Sequence, residues 1–310
     1  MGNKTKGYIL GSLAAATYGL NPLFALPLYS DGMGVDSVLF FRYVIAIPLI
    51  ALMMLIRGRS FKIKPLQVFG LGGLGLLVAL SSLALFLSYT YMAAGIASTL
   101  LFVYPIMVAV MMVCFFKEKI SPVTVLCTAT AIAGIGLLFK NSDGDTISVV
   151  GTIWVMISAL SYAIYIVAIN KSSLAKVPTL TATFYILLFG VLLFAARLLS
   201  KGNIDVPSAQ NGFLWLALLG LAVFPTVVSF VCTTSAIHNI GSTKTAILGA
   251  LEPVTAVLIG ICVFGEELTP RSLIGLIMII GAVTVVVSGP KMGERISYIK
   301  KMFPRVRKNK

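Results

Sequence analysis

Long apolar stretches separated by short polar breaks run through almost the whole chain. A helix needs roughly 20 apolar residues to cross the hydrocarbon core of a bilayer. Ten such stretches occur, near residues 7–29, 37–56, 66–92, 96–116, 122–139, 149–169, 180–199, 212–237, 243–264 and 271–289. The breaks carry turn and helix-ending residues, such as Asp31-Gly32 and Ser121-Pro122. The pattern predicts an all-α integral membrane protein with ten transmembrane helices.

Composition supports the same class of protein. Of the 310 residues, 58% are apolar and 11% are charged. A soluble protein covers its surface with charge, whereas lipid accepts apolar side chains and requires only that backbone groups bond internally. The net charge of +14 comes largely from the ends of apolar stretches and from residues 291–310, where basic groups meet membrane lipids. Nucleic acid is therefore not a predicted partner, and the four cysteines have no spacing typical of a metal or cofactor site.

The charges of the loops predict the orientation. Basic loops alternate with acidic ones, and the basic set comprises residues 4–6, 57–64, 117–119, 171–176 and 291–310. Loops rich in Lys and Arg stay on the cytoplasmic side of the inner membrane, so both termini are predicted to be cytoplasmic. Residues 291–310 are then a basic cytoplasmic tail. Lys140, Arg197 and Lys201 fall on the outer side in this scheme, where we expect them to snorkel at helix ends.

An internal repeat is the most specific feature of the sequence. Residues 105–122 align without a gap on residues 253–270, at a separation of 148, and residues 7–18 align on 151–162, at a separation of 144. The chain is therefore predicted to hold two copies of one unit, residues 1–144 and 145–290. Five helices per copy is an odd number, so the second copy must insert upside down. Inverted repeats are a transporter architecture, with the binding site near the midplane where the halves meet.

The repeated residues resemble those of a known family. They are Pro105, Glu118 and Gly134 in the first half, Glu252-Pro253, Glu266 and Gly281 in the second, and the opening run of residues 15–19. This pattern is similar to the EamA family of the drug/metabolite transporter superfamily. The resemblance implies a ten-helix fold, a cavity lined by helices 1, 3, 4, 6, 8 and 9, alternating access, and movement of small organic metabolites, often outward. It does not name a substrate.

Glu252 is a carboxylate predicted to lie deep in the membrane. It stands about ten residues into the ninth stretch, which at about 1.5 Å per residue is near the bilayer midplane. An ionisable group at that depth usually faces a cavity or a partner. Two interpretations stay open: a carboxylate that binds a proton or the amine of a solute, or a structural group that bonds backbone freed by Pro253.

Aromatic and small polar residues at mid-helix depth form a second group of candidate binding residues. Three-residue spacing places Tyr18 with Asn21, and Tyr162 with Tyr165, on one helix face each. The further candidates for contact with the substrate or a coupling ion are Ser82, Phe86, Tyr104, Thr226, Phe230 and Arg42. The alternative is interhelical packing and hydrogen bonding, or headgroup contact for Arg42, whose helix is not among the six that the resemblance implies.

Prolines interrupt four of the predicted cavity helices. Pro22, Pro105, Pro225 and Pro253 each remove a backbone donor inside a stretch that otherwise reads as continuous helix. Each is expected to kink its helix, and the kinks serve either as bending points for gating or as static features.

The predicted function is secondary transport of a small organic metabolite across the inner membrane, with export as the expected direction. No Walker motif occurs, so a proton gradient, exchange or downhill flow must supply the energy, and protons are the candidate coupling ion. One deep carboxylate among aromatic residues suits amino acids, amines or related compounds. A flippase of lipid-linked or phosphorylated solutes is the alternative, with Arg42 and Lys244 as its basic groups. An intramembrane enzyme is more distant, because it would need paired ionisable groups at depth and the sequence has no HExxH or GxSxG motif and a single deep carboxylate. Monomer and homodimer both stay open.

Overall fold

The structure, a computed structural model, describes residues 2–92, 94–118, 121–138, 148–208, 211–264, 270–271 and 273–285. All regular elements in these ranges are helices. They are α1 (Asn3–Tyr18), α2 (Asn21–Ser30), α3 (Val35–Ile56), α4 (Pro65–Ser88), α5 (Ala94–Leu101), α6 (Tyr104–Phe116), α7 (Pro122–Leu138), α8 (Val149–Lys171), α9 (Thr179–Lys201), α10 (Gly212–Ala222), α11 (Ser229–Ile240), α12 (Ser242–Leu248), α13 (Leu251–Phe264) and α14 (Leu273–Val285). A 3₁₀ turn, Ser173–Lys176, precedes α9, and a π-helical turn, Val223–Val228, joins α10 to α11.

Six segments of the described chain are long and apolar enough to cross a membrane: Asn3–Ser30, Val35–Ile56, Pro65–Ser88, Val149–Lys171, Thr179–Lys201 and Gly212–Ile240. Shorter apolar helices, among them α6, α7 and α14, lie in the other predicted stretches. The all-helical membrane class is therefore confirmed, and the count of ten transmembrane helices stays a prediction. The predicted basic tail, residues 291–310, lies outside the described residues.

Each of the four prolines predicted to kink a helix lies at an interruption. Pro22, Pro105 and Pro253 stand within the first three residues of α2, α6 and α13, and each of these helices follows a break in its span. Pro225 lies inside the π-helical turn. Proline has no N–H to donate and its ring clashes with the preceding turn, so the backbone leaves regular α geometry at these positions.

Helices from the first half of the chain pack mainly on helices from the second. α1 packs against α11, α4 against α8, and α3 against α9. The Ser81 hydroxyl donates to the Ser158 carbonyl at 3.0 Å, and the Ser229 hydroxyl donates to the Ala14 carbonyl at 2.9 Å. Ser229 follows Ser81 by 148 residues and Ser158 follows Ala14 by 144, which are the separations of the sequence repeat. The same hydrogen bond is thus made twice, with the two halves exchanged.

Helix α9 is fastened to α3 and α4 along its length, and we call these contacts of α9 the α9 seam. At one end, the buried carboxylate of Asp36 binds Arg197 Nε at 2.6 Å and Lys201 Nζ at 2.5 Å. The Asp205 carboxylate accepts from the Gly34 backbone N–H at 2.8 Å on the same side. Arg197 and Lys201, expected to snorkel at helix ends, both have a carboxylate partner within the protein.

The other end of the α9 seam is joined by neutral hydrogen bonds. The Tyr185 hydroxyl donates to the Phe61 carbonyl at 2.7 Å, and the Thr181 hydroxyl donates to the Ser60 carbonyl at 3.2 Å. Between the two ends α4 and α9 touch through backbone, since a Cβ placed on Gly75 would lie 2.6 Å from the Ile186 carbonyl oxygen. Small residues allow this approach, as is usual where membrane helices pack closely.

Candidate functional site

A narrow cavity lies where interrupted helices from both halves meet. Its lining comes from α1, α6, α8, α11, α12 and the region around the α12–α13 break. The lining residues are Gly11, Ala14, Ala15, Tyr18, Tyr104, Tyr162, Ile166, Ser229, Thr233, Thr245, Gly249 and Glu252. The cavity has a volume of about 20 Å³. That is room for a water molecule and not for an organic solute, so in this conformation the cavity is closed to a solute.

Glu252 lines this cavity from the start of α13. The residue is 8% exposed, and its backbone N–H bonds to the Gly249 carbonyl at 2.9 Å across the break between α12 and α13. Its own carbonyl lies against the break between α1 and α2, because a Cβ on Gly19 would come within 2.5 Å of that oxygen. Two interrupted spans therefore meet at this carboxylate. Among the described residues no Lys, Arg or His makes an ion pair with it.

Three tyrosines form the wall beside Glu252. The rings of Tyr18 and Tyr162 stack with centroids 6.3 Å apart, and Tyr104 meets Tyr162 edge to face at 5.1 Å. The Tyr104 hydroxyl donates to the Ala246 carbonyl at 3.2 Å. A side chain at Gly249 would collide with that hydroxyl, so glycine there lets α12 end against the ring. Tyr18 and Tyr162, which the sequence repeat equates, thus share one cavity.

Arg42 lies away from the cavity but is completely enclosed. Its exposed fraction is 0%. Its Nε donates to the Thr226 hydroxyl at 2.5 Å, and Nη2 donates to the Pro225 carbonyl at 3.1 Å. Its guanidinium carbon stands 5.4 Å from the centre of the Phe86 ring. Helix α3 therefore sends one cation into the protein interior, although the resemblance placed that helix outside the cavity-lining set.

The other predicted site residues serve mainly as packing partners in this conformation. The Tyr165 hydroxyl bonds the Thr234 hydroxyl at 3.0 Å, the Ser82 hydroxyl bonds that of Tyr43 at 3.2 Å, and Phe230 packs edge to face on Tyr165 at 6.4 Å. Asn21 is 1% exposed, and both atoms of its side-chain amide lack a partner. None of these residues lines the closed cavity, and their contact with a substrate stays a prediction.

Sequence reasoning missed several small lining residues, including Gly11, Thr233, Thr245 and Gly249. Spacing carried a signal for them. Gly11, Ala15 and Tyr18 follow one another at intervals of four and three, as do Thr245, Gly249 and Glu252. Residues at such intervals share a helix face, so the predicted site residues Tyr18 and Glu252 also indicate the small residues that precede them on that face.

The family model for EamA-like transporters matches residues 5–140 and again residues 149–288. The chain belongs to the EamA-like transporter family. The family model is thus matched twice in tandem, once in each half of the chain.

Curated relatives of this EamA-like protein are named as transporters. A protein of Archaeoglobus fulgidus, named an uncharacterized transporter, is 30% identical over 62% of this chain and 66% of its own length, so the match spans just under two thirds of that relative. YedA of Escherichia coli K12, named an uncharacterized inner membrane transporter, is 26% identical over 80% of each chain. The family and both relatives are named as transporters.

A solved structure shares the fold of this EamA-like protein. The crystal structure of another protein superposes with a TM-score of 0.77, covering 92% of this chain and 99% of that one. The two sequences are 18% identical, so the likeness extends to the fold alone.

Proposed function

We propose that this protein is a secondary transporter that exports a small organic metabolite, an amino acid, an amine or a related compound, by alternating access across the inner membrane. The observation that supports this function most directly is Glu252, a buried carboxylate with no ion-pair partner among the described residues, placed on a cavity between three tyrosines. A carboxylate in that position attracts a proton or the ammonium group of a solute. The aromatic rings offer faces to a cation and to apolar groups.

The four interrupted spans supply the bending points that alternating access needs. The cavity must widen from about 20 Å³ to admit a solute, and its walls are the helices that carry breaks at Gly19, Gly249 and Pro225. Broken helices whose halves rock against each other around a fixed site are a recurrent device of transporters built from inverted repeats. The symmetric pairing of α1 with α11 and of α4 with α8 supports the proposed inverted arrangement.

Contacts on the side proposed to be cytoplasmic close this conformation. Lys171 Nζ lies 3.9 Å from Glu118 Oε2, and the Thr243 hydroxyl donates to Glu118 Oε1 at 3.3 Å. The Ser242 hydroxyl donates to the Ile166 carbonyl at 2.9 Å. These bonds join the ends of α6, α8 and α12. Their release would open the cavity towards the compartment from which an exporter takes its solute.

A lipid flippase finds less support in the same geometry. Such a function needs basic groups that face a lateral opening to lipid. Arg42, one of the two basic residues on which that alternative depends, is enclosed on all sides.

The test is efflux from cells that express the wild type or Glu252→Gln, preloaded with a pool of amino acids, amines and nucleobases, with and without an uncoupler. We expect the wild type to export a subset of the pool, the uncoupler to reduce that export, and Glu252→Gln to lose it. Asp31→Asn is the matched control, because it removes an exposed carboxylate outside the cavity. Normal export by a correctly inserted Glu252→Gln variant would make Glu252 structural and remove the basis of the proposed coupling.

A further inference from the structure

Arg42 carries a buried positive charge that the described residues do not neutralise. No Asp or Glu of the described chain lies within ion-pair distance of its guanidinium. The acidic residue on its own helix, Asp36, is already bound by both Arg197 and Lys201. An unpaired charge in a protein interior is strongly destabilising, so burial without a counter-ion demands a compensating role.

Holding the π-helical turn uses only part of the guanidinium. Nε and Nη2 are committed to Thr226 and to the Pro225 carbonyl, whereas Nη1 is buried with no hydrogen-bond partner. The Thr226 hydroxyl donates in turn to the Leu221 carbonyl at 2.8 Å, which fixes the acceptor that Nε uses. A guanidinium has five N–H donors, and those on Nη1 stay available on a group whose orientation is fixed.

Other unpartnered polar atoms lie in the same neighbourhood. The hydroxyl oxygen of Tyr29 is buried and makes no hydrogen bond, and the Tyr29 ring packs edge to face on Phe86 at 6.3 Å. Phe86 is the ring that lies under Arg42. The cation and the ring that carries the free hydroxyl therefore contact the same Phe86 ring, and both groups have polar atoms that stay available to a ligand.

We propose that Arg42 is the anchor for a carboxylate group of the transported solute. One guanidinium with a free terminal nitrogen matches a single carboxylate, while a phosphate dianion would call for further cations. Arg42 bonds the Thr226 hydroxyl, three residues before Ser229, and Ser229 lines the same cavity as Glu252. The solute class is therefore a zwitterion, with its carboxylate at Arg42 and its ammonium group at Glu252. This assignment rests on the proposed transport function.

The test compares matched solutes in liposomes that contain the purified protein. The probes are a pool of amino acids, the corresponding amines without the carboxylate, and aminoalkyl phosphonates of similar size. We expect the wild type to carry the amino acids in preference to both other sets. Arg42→Lys and Arg42→Gln should lower amino-acid transport by about tenfold or more, the loss expected for one charge-assisted hydrogen bond, and change amine transport by less than about threefold.

Arg197→Gln is the matched control, because it removes an arginine whose charge Asp36 already neutralises. It should leave the preference for amino acids unchanged. Since an Arg42 variant can also fail to fold, thermal stabilisation of the purified protein by the carried amino acid is measured alongside. The wild type should be stabilised and Arg42→Lys should not.

The outcomes separate the two proposals. If the wild type carries none of the probes, the proposed transport of such metabolites fails. If it carries amines or phosphonates at the same rate as amino acids, or if folded Arg42 variants keep the preference for amino acids, transport stands and the carboxylate subsite is wrong. An equal loss of amino acids and amines in folded Arg42 variants also overturns it, because Arg42 would then act only by holding the π-helical turn.

Discussion

The α9 seam and the region of the cavity and of Arg42 are both buried, but buried polar groups have partners in the first and several lack them in the second. In the seam, Asp36 meets two cations, and Thr181 and Tyr185 each reach a backbone carbonyl. Elsewhere in the described chain, Glu252 on the cavity has no ion pair, and unpartnered buried side-chain atoms lie on Tyr8, Asn21, Tyr29 and Arg42, outside the contacts of α9. Polar groups that are satisfied hold two helices together, while polar groups that are unsatisfied cost stability and stay available to a ligand.

The difference predicts two classes of variant. Substitutions in the seam should change the free energy of unfolding and leave the choice of solute alone. Substitutions around the cavity should change transport and leave stability unchanged or improved, as is common where a functional site holds groups that destabilise the fold.

The largest effect on stability is expected at the closest helix contact. Gly75→Ala would bring a Cβ within 2.6 Å of the Ile186 carbonyl oxygen and 2.9 Å of Phe189, forcing α4 and α9 apart. We expect destabilisation of about 3 kcal/mol, measured by unfolding the purified protein with SDS in mixed micelles. Gly73→Ala, on the same helix with nothing within 4 Å of its added Cβ, is the control and should be neutral. Equal stabilities for the two variants would show that α4 and α9 are not in backbone contact.

A smaller loss is expected from Asp36→Asn. The amide keeps the size of the side chain and removes the charge that binds Arg197 and Lys201. Because both cations are partly exposed and can turn to water, we expect a loss of about 2 kcal/mol in the same unfolding assay. Asp31→Asn changes an exposed carboxylate near the start of the same helix and should cost little.

The solute preference of Asp36→Asn tests whether the α9 seam is separate from the binding site. We expect the variant to carry the same probes in the same order of preference as the wild type, at a rate that follows the amount of folded protein. A changed preference would mean that the seam forms part of the binding site.

Asn21→Leu tests the opposite class and should stabilise the protein. Leucine has the same number of side-chain heavy atoms and the same branching, with somewhat more volume, and it removes an amide whose two polar atoms are buried without a partner. Replacing such a group by an apolar one should raise the free energy of unfolding by about 1 kcal/mol, while transport falls if the amide meets the solute. A destabilised Asn21→Leu would mean that the amide is satisfied in the folded protein, for instance by bound water. Ala25→Leu, at a fully buried position of the same helix, controls for added bulk and should destabilise.

Much of the architecture follows from sequence by direct physical rules. Apolar length marks the spans, and proline marks the breaks, since neither rule depends on what the helix packs against. Glu252 could be singled out for a similar reason, because a carboxylate far from both ends of a membrane span costs free energy whichever way its side chain points.

The environment of Arg42 and the roles of paired tyrosines depend on tertiary structure. Arg42 is enclosed because the π-helical turn at Pro225 presents a carbonyl and the Thr226 hydroxyl to α3, and no pattern within α3 reports this. Tyr162 and Tyr165 share a helix face by their spacing, yet Tyr162 lines the cavity whereas Tyr165 bonds Thr234 on α11. Periodicity identifies the buried face and not which of two neighbouring helices each residue meets.

The smallest effect in this set is expected from Tyr185→Phe at the other end of the seam. The change removes one hydroxyl that donates to the Phe61 carbonyl at 2.7 Å and keeps the ring contacts with Phe184 and Phe189. Because water can replace the lost bond at this partly buried position, the cost should be about 0.5–1 kcal/mol in the SDS unfolding assay. Tyr91→Phe, on an exposed ring, is the control. If Tyr185→Phe left stability intact and altered transport, that end of the seam would open during the transport cycle, and the division between a fixed seam and a mobile cavity would have to be redrawn.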